Sequence, residues 1–77
     1  MSKKAFRERE LVALTKRFRR QAEVTRAQAA RDMGVSQTSI FHAEETPEQA
    51  LVKLRMRMIE KYSPYKVKGA FYFLSGK

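Results

Sequence analysis

One glycine between two helix-capping residues constrains the fold of this chain more than any other sequence feature. Thr25 precedes a run of helix-forming residues that ends at Gly34, and Ser36 precedes a second such run. Thr and Ser are favoured N-cap residues because their hydroxyl oxygens accept hydrogen bonds from the free backbone N–H groups of the first turn. Glycine adopts the left-handed conformation after a helix without a Cβ clash. The pattern therefore predicts two short helices, at about 26–33 and 37–44, joined by a tight turn.

The apolar and polar residues of these two helices separate onto different faces. Ala30 is small at the point where the helices must cross closely, and the positions that must face a shared core are apolar: Ala29, Met33, Val35, Ile40 and Ala43. Four polar residues remain on the open face of the second of these helices, namely Gln37, Thr38, Ser39 and His42. Short polar side chains at the N-terminus of an exposed helix suit the major groove of DNA.

Further helices are expected on both sides of this pair. Apolar residues at helical spacing predict a first helix at about 4–22. Thr46, Pro47 and Gln49 have the pattern of an N-cap, a first-turn proline and a capping box, so a fourth helix is expected from Pro47 to about Tyr62. The apolar residues of this last helix cover more than one stripe, so the C-terminal segment or a second subunit must cover part of them.

The C-terminal segment differs in character from the helices. Residues 65–74 are aromatic and β-prone, which predicts one extended strand in a tail (63–77) that follows a helical domain (1–62). A lone strand is not stable. We therefore expect it to pair with the same strand of a second copy, although a tail folded back over its own helices is the alternative. The expected dimer interface consists of Met56, Ile59, Val67, Phe71, Tyr72 and Phe73.

The stretch from Thr25 to Glu45 resembles the helix-turn-helix of the phage Cro/repressor family, also called the xenobiotic-response-element type. The residues that match the family pattern without a gap are Thr25, Ala30, Gly34, Val35, Ser36, Gln37, Ile40 and Glu44. The resemblance implies that Gln37 reads adenine, that Thr38 and Ser39 reach neighbouring bases or phosphates, and that His42 contacts a base or the backbone. The sequence departs from the family pattern in two features. The segment after Glu44 leads directly into one helix, and the tail is strand-like.

Several basic and capping residues are expected at phosphates, and these are Arg17, Arg20, Thr25, Arg26 and Ser36. Arg26 stands where the family usually has glutamine, at a helix N-terminus that approaches the DNA backbone. The adjacent acids would repel phosphate. We therefore expect Glu44 to be an internal partner of a basic residue and Glu45 to point away. Phe41 is expected to pack against the fourth helix or the tail rather than to touch a thymine methyl group.

Composition supports a nucleic-acid partner and argues against catalysis. Seventeen Lys and Arg residues against eight Asp and Glu residues give the 77-residue chain a net charge of +9, which is typical of nucleic-acid binding. With no cysteine, one histidine and no glycine-rich phosphate loop, we expect no enzyme activity, no metal site, no cofactor and no small-molecule ligand. No stretch has the length of a membrane span or the pattern of a signal peptide, so a cytoplasmic protein is expected.

The sequence thus predicts a mainly α protein: a four-helix, helix-turn-helix domain with a C-terminal strand that pairs across a dimer. Its expected function is that of a transcriptional repressor, a homodimer on a near-palindromic operator in double-stranded DNA that regulates its own operon. Two alternatives remain open. One is an antitoxin or adaptor module that binds a protein through the tail, and the other is a nucleic-acid binder without sequence preference.

Overall fold

The computed structural model describes residues 5–6, 8–68 and 72–76, which form four helices and a three-stranded sheet. The helices are α1 (Glu8–Gln21), α2 (Arg26–Met33), α3 (Gln37–Glu45) and α4 (Val52–Tyr62). The strands are β1 (Ala5–Phe6), β2 (Tyr65–Lys68) and β3 (Tyr72–Gly76). The mainly helical architecture agrees with the sequence-based expectation of a small α domain.

The turn between α2 and α3 has the predicted capping residues. The Thr25 hydroxyl accepts a bond from the backbone N–H of Gln28 at 3.1 Å, and the Ser36 hydroxyl accepts one from Ser39 at 3.1 Å. Gly34 has φ 69° and donates its N–H to the last turn of α2. Because a left-handed residue disfavours any Cβ, glycine ends α2 here and lets the chain turn into α3.

The first part of the core lies between α2, α3 and α4. Its buried members are Ala29, Ala30, Met33, Ile40, Ala43, Leu54 and Met58, with Val24, Val35, Leu51 and Tyr62 packed around them. All five positions predicted to face the shared core belong to this cluster. The side chains that were expected to join the two short helices therefore do so, and α4 closes the cluster.

The second part of the core joins α1 to α4 and the sheet. Leu11, Ile59 and Val67 are buried together, with Leu14, Phe18, Val52 and Met56 around them. Ile59 is 0% exposed and Val67 is 5% exposed. This corrects the assignment of these two side chains to a dimer interface, because they are covered by their own chain.

The start of α4 differs from the prediction. The helix begins at Val52 after Leu51, which makes no side-chain cap bond, so the capping box at Thr46 and Gln49 is wrong. The loop instead wraps around the Arg55 side chain, which is 0% exposed. Its guanidinium donates to the carbonyl oxygens of Ala43 at 3.0 Å, Gln49 at 2.9 Å and Thr46 at 2.8 Å. One of these carbonyls belongs to α3 and two belong to the non-helical loop, so the loop conformation before Val52 brings them to one guanidinium.

The C-terminal segment forms a hairpin rather than one strand, so the prediction of a single strand at 65–74 is wrong. β2 pairs antiparallel with β3, with Lys68 opposite Phe73 and Tyr65 opposite Gly76. β1 pairs with the other side of β3, with Ala5 opposite Phe73. The predicted helix at 4–22 is correspondingly shorter, since α1 begins at Glu8. Because β3 finds partners on both sides within one chain, an unpaired strand no longer argues for a dimer.

Within the part of the chain that the structure describes, no helix is both long enough and apolar enough to cross a membrane.

Candidate nucleic-acid interface

The open face of α3 carries the side chains that were predicted to read DNA. Gln37 and Thr38 are exposed in the first turn, whereas Ile40, Ala43 and Glu44 further along the helix are buried. No described residue forms a hydrogen bond with the side chain of Gln37 or Thr38. Their amide and hydroxyl groups are therefore available to a ligand.

The other two predicted base-reading residues have partners within the chain. The Ser39 hydroxyl lies 3.1 Å from that of Ser36, so these two side chains satisfy each other at the start of α3. His42 is half-buried, and its Nδ1 lies 3.0 Å from the Thr46 hydroxyl. This bond fixes the ring orientation at the end of α3 and leaves Nε2 as the ring atom for any other contact.

The acid pair at the end of α3 is neutralised by basic residues from two other helices. Arg19 of α1 donates from Nη2 to Glu44 Oε1 at 3.0 Å and from Nε to Oε2. Arg26 of α2 donates from Nε to the same Oε1 at 3.0 Å. The Glu44 side chain is 0% exposed. Glu44 is thus the internal partner that the sequence predicted, and it ties α1, α2 and α3 together.

Glu45, which was expected to point away, is exposed and belongs to the same network. Its Oε2 accepts from Lys16 Nζ at 2.6 Å and from Arg26 Nη2 at 2.7 Å. The hydrogen bond from Lys16 is the main cause that lowers the pKa of Glu45, and the hydrogen bond to Glu44 is the main cause that raises the pKa of Arg26. With three cations and two carboxylates, this cluster keeps a net positive charge. The repulsion that two bare acids would exert on phosphate is therefore offset.

Phe41 lies on the open face of α3, which corrects the expectation that it packs against α4 or the tail. Its side chain is 44% exposed. The Arg26 guanidinium carbon lies 5.3 Å from the centre of its ring, and the His42 ring meets it edge-on at 5.5 Å. The sequence held a signal for this placement, because Phe41 lies three residues after Thr38 and four after Gln37, both of which are exposed.

The basic residues predicted to meet phosphate divide into an exposed set and an internal set. Arg17 and Arg20 are exposed and line a shallow depression along α1 with Ala13, Lys16 and Gln21. The bond from Lys16 to Glu45 joins this depression to the end of α3. Thr25 and Ser36 are exposed N-caps, whereas the Arg26 side chain is 32% exposed within the ion-pair network.

The residues predicted at a dimer interface do not form one described surface. Met56 is half-buried and packs against the cluster of Leu11, Ile59 and Val67. Tyr72 and Phe73 belong to strand β3 and pair with Phe6 and Ala5 of β1. Phe71 lies outside the described residues. An interface between two copies thus remains a prediction, without Ile59 and Val67.

Two observations bear on other kinds of site. Among the described residues, no three His, Cys, Asp or Glu side chains lie close enough together to hold a metal ion. Comparison with known proteins found no matching family model, no matching curated protein and no matching solved structure. The functional interpretation therefore depends on the geometry of the chain itself.

Proposed function

We propose that this protein binds double-stranded DNA with sequence specificity and that α2 and α3 act as a helix-turn-helix. The observation that carries the proposal is the pair of exposed, unengaged side chains of Gln37 and Thr38 in the first turn of α3. The major groove admits an α-helix, and glutamine can bond in a bidentate manner to N6 and N7 of adenine. In this orientation α3 is the recognition helix, and its buried face keeps it anchored on α2 and α4.

Basic residues around α3 supply the attraction to phosphate. Arg17 and Arg20 extend from α1 beside Lys16, and the net charge of the whole chain is +9. Each cation that meets a phosphate releases a condensed counterion, so binding weakens as the salt concentration rises. The exposed N-caps Thr25 and Ser36 add helix N-termini, where N–H groups favour anions.

Arg26 has a position that suits one phosphate contact. Its Nε and Nη2 groups bond to Glu44 and Glu45, and its ring contact with Phe41 orients the guanidinium. Nη1 is the donor group that the described residues leave to a ligand. A guanidinium that is already held in one orientation loses less side-chain entropy when it binds phosphate. Arg26 thus couples the start of α2 to the DNA backbone.

Two copies on one target are part of the proposal. A single α3 of nine residues can read only a few base pairs, and a two-fold dimer doubles the number of bases read. We propose a near-palindromic site with half-sites about one helical turn apart. A dimer bound over a promoter would exclude RNA polymerase, which makes repression, including repression of its own gene, the expected outcome.

Selection of bound duplexes from a random-sequence library tests this function. We expect enrichment of a two-fold symmetric site. Gln37→Ala should weaken binding to that site by about 1–3 kcal/mol and relax the preference at one position in each half-site. The matched control is Gln49→Ala, because Gln49 is also exposed but lies in the loop before α4. Its affinity and preference should stay those of the parent.

The same assay separates the alternatives. Arg17→Ala and Arg20→Ala should weaken binding to all sequences alike and each reduce the salt slope by about 1. If the parent protein binds duplexes without any enrichment, or if Gln37→Ala and Gln49→Ala have equal effects, the proposed sequence-specific function is wrong. Sedimentation of the protein with and without the selected duplex measures whether two copies bind.

A further inference from the structure

Phe41 is a large apolar side chain at a solvent-facing position, where a polar side chain is more usual. At 44% exposure it is the one exposed large hydrophobic residue among those whose side-chain exposure the structure describes. It lies between the polar groups of Gln37 and Thr38 at the start of α3 and the carboxylate of Glu45 at its end. An isolated exposed apolar residue needs no explanation in general, but this one is oriented by two neighbours.

The contacts of Phe41 orient its ring without burying it. The Arg26 guanidinium carbon stands 5.3 Å from the ring centre, and Arg26 itself is held by Glu44 and Glu45. The His42 ring lies at 74° to the phenyl ring, and His42 is in turn oriented by its bond to Thr46. These two contacts set the direction in which the phenyl group faces solvent.

If Gln37 reads a base, the spacing along α3 brings the ring to a neighbouring base pair. Phe41 follows Gln37 by four residues, which is about 6 Å along a helix at about 1.5 Å per residue. Successive base pairs rise by about 3.4 Å. If Gln37 reads one base, Phe41 therefore faces an edge one or two steps away. The major-groove edges of unmodified bases offer one apolar group, which is the C5-methyl group of thymine.

We propose that Phe41 determines specificity by packing on the C5-methyl group of a pyrimidine, normally thymine, in each half-site. The inference rests on the proposed DNA-binding function and adds a second base contact of a different chemical kind. Gln37 selects through hydrogen bonds, whereas Phe41 selects a methyl group by covering it from water. The adjacent Arg26 keeps the ring in place and brings a positive charge to the nearby phosphate.

Replacing thymine with deoxyuridine tests the proposal, because that change removes the methyl group and keeps every hydrogen-bonding atom. Each thymine of the selected site is replaced in turn, and affinity is measured for the parent, Phe41→Ala and Phe41→Leu. We expect one position in each half-site where deoxyuridine weakens binding by the parent about fourfold, the effect of one methyl group. The penalty should vanish in Phe41→Ala, persist in part in Phe41→Leu, and stay complete in Gln49→Ala.

A second set of duplexes distinguishes the source of the methyl group. At the sensitive position, a 5-methylcytosine–guanine pair should bind the parent more tightly than a cytosine–guanine pair, and Phe41→Ala should bind the two equally. If the penalty survives in Phe41→Ala, or if the parent has no methyl-sensitive position, the inference is overturned while an enriched site still supports the proposed function. A library with no enriched site overturns both. Thermal unfolding of each variant confirms that it is folded before binding is compared.

Discussion

Arg19 in α1 binds both carboxylate oxygens of Glu44 in α3, a residue 25 positions later in the chain. Arg19 also donates from Nη1 to the carbonyl oxygen of Val24 at 2.7 Å. Arg19 is only 8% exposed. This side chain therefore joins α1, the loop before α2 and the end of α3. The orientation of the proposed recognition helix depends on an ion pair between residues that are distant in the sequence.

Removal of Glu44 should destabilise the fold far more than removal of its neighbour. Glu44→Ala leaves the Arg19 guanidinium buried without its carboxylate, which costs about 3–5 kcal/mol. Glu45→Ala breaks ion pairs whose side chains are 32–37% exposed, and such pairs contribute at most about 1 kcal/mol. Urea unfolding followed by circular dichroism measures both. Equal losses of unfolding free energy for the two variants would show that the pair does not clamp α3.

Arg55 should prove as important to stability, although it takes no part in the proposed interface. Arg55→Met removes a buried donor from the carbonyls of Ala43, Thr46 and Gln49, and each unsatisfied buried group costs about 1–3 kcal/mol. We expect a loss of at least about 3 kcal/mol by urea unfolding and faster amide exchange in the loop 46–51. Lys53→Met, on the exposed side of the same helix, is the control. Unchanged exchange in the loop would refute the role of Arg55.

The extent to which the sequence predicted this structure follows from the range of each interaction. The caps Thr25 and Ser36 and the left-handed Gly34 are local, so their residue types sufficed to locate α2 and α3. The true start of α4 was missed because it depends on Arg55 reaching carbonyls on α3 and in the loop. A fourth helix with a capping box at Thr46 satisfied every local rule, yet the buried guanidinium overrides it.

The sheet and the site show the same limit. The segment 65–74 has strand-forming residues throughout, and nothing local indicates that β3 pairs with both β2 and the two residues of β1. In the candidate site, the exposure of Gln37 and Thr38 was expected because they are polar and begin the helix, whereas Ser39 and His42 of the same set are half-buried. The partner of Glu44 was expected to be basic, but the choice of Arg19 from a run of basic residues in α1 needs the packing of α1 against α3.

Gly34 should resist substitution for a backbone reason alone. Its φ is 69° and a Cβ at this position would meet no atom within 4 Å, so added volume causes no clash. Gly34→Ala should nevertheless cost about 1–2 kcal/mol because alanine disfavours the left-handed region. Gly34→Asn should cost less, since asparagine visits that region more readily. If the two substitutions destabilise the protein equally in thermal unfolding, the left-handed conformation is not the cause.

The contact between α2 and α4 should respond to pH. Tyr62 donates to Asp32 Oδ2 at 2.7 Å and Gln28 donates to Oδ1 at 2.7 Å, and these bonds lower the pKa of Asp32 below 3.8. A lowered pKa gives stability that is present above pH 3.8 and is lost as the pH falls through the folded-state pKa. Tyr62→Phe should raise the pKa of Asp32 toward its ordinary value in an NMR titration. An unchanged pKa would mean that the hydroxyl does not bind Asp32 in solution.

A change at Glu45 should alter the contacts with phosphate but not the reading of bases. Glu45→Gln replaces the carboxylate that pairs with Lys16 and Arg26 by an uncharged amide of similar size. If both cations face DNA, the affinity for every duplex rises and the selected sequence stays the same. The dependence of affinity on salt concentration steepens by about 1 or more in slope, because phosphate contacts are gained. Glu48→Gln, which changes an exposed acid in the loop before α4, is the charge-matched control. Equal gains for Glu45→Gln and Glu48→Gln would reduce the effect to net charge and place the cluster of Lys16, Arg26 and Glu45 away from the bound DNA.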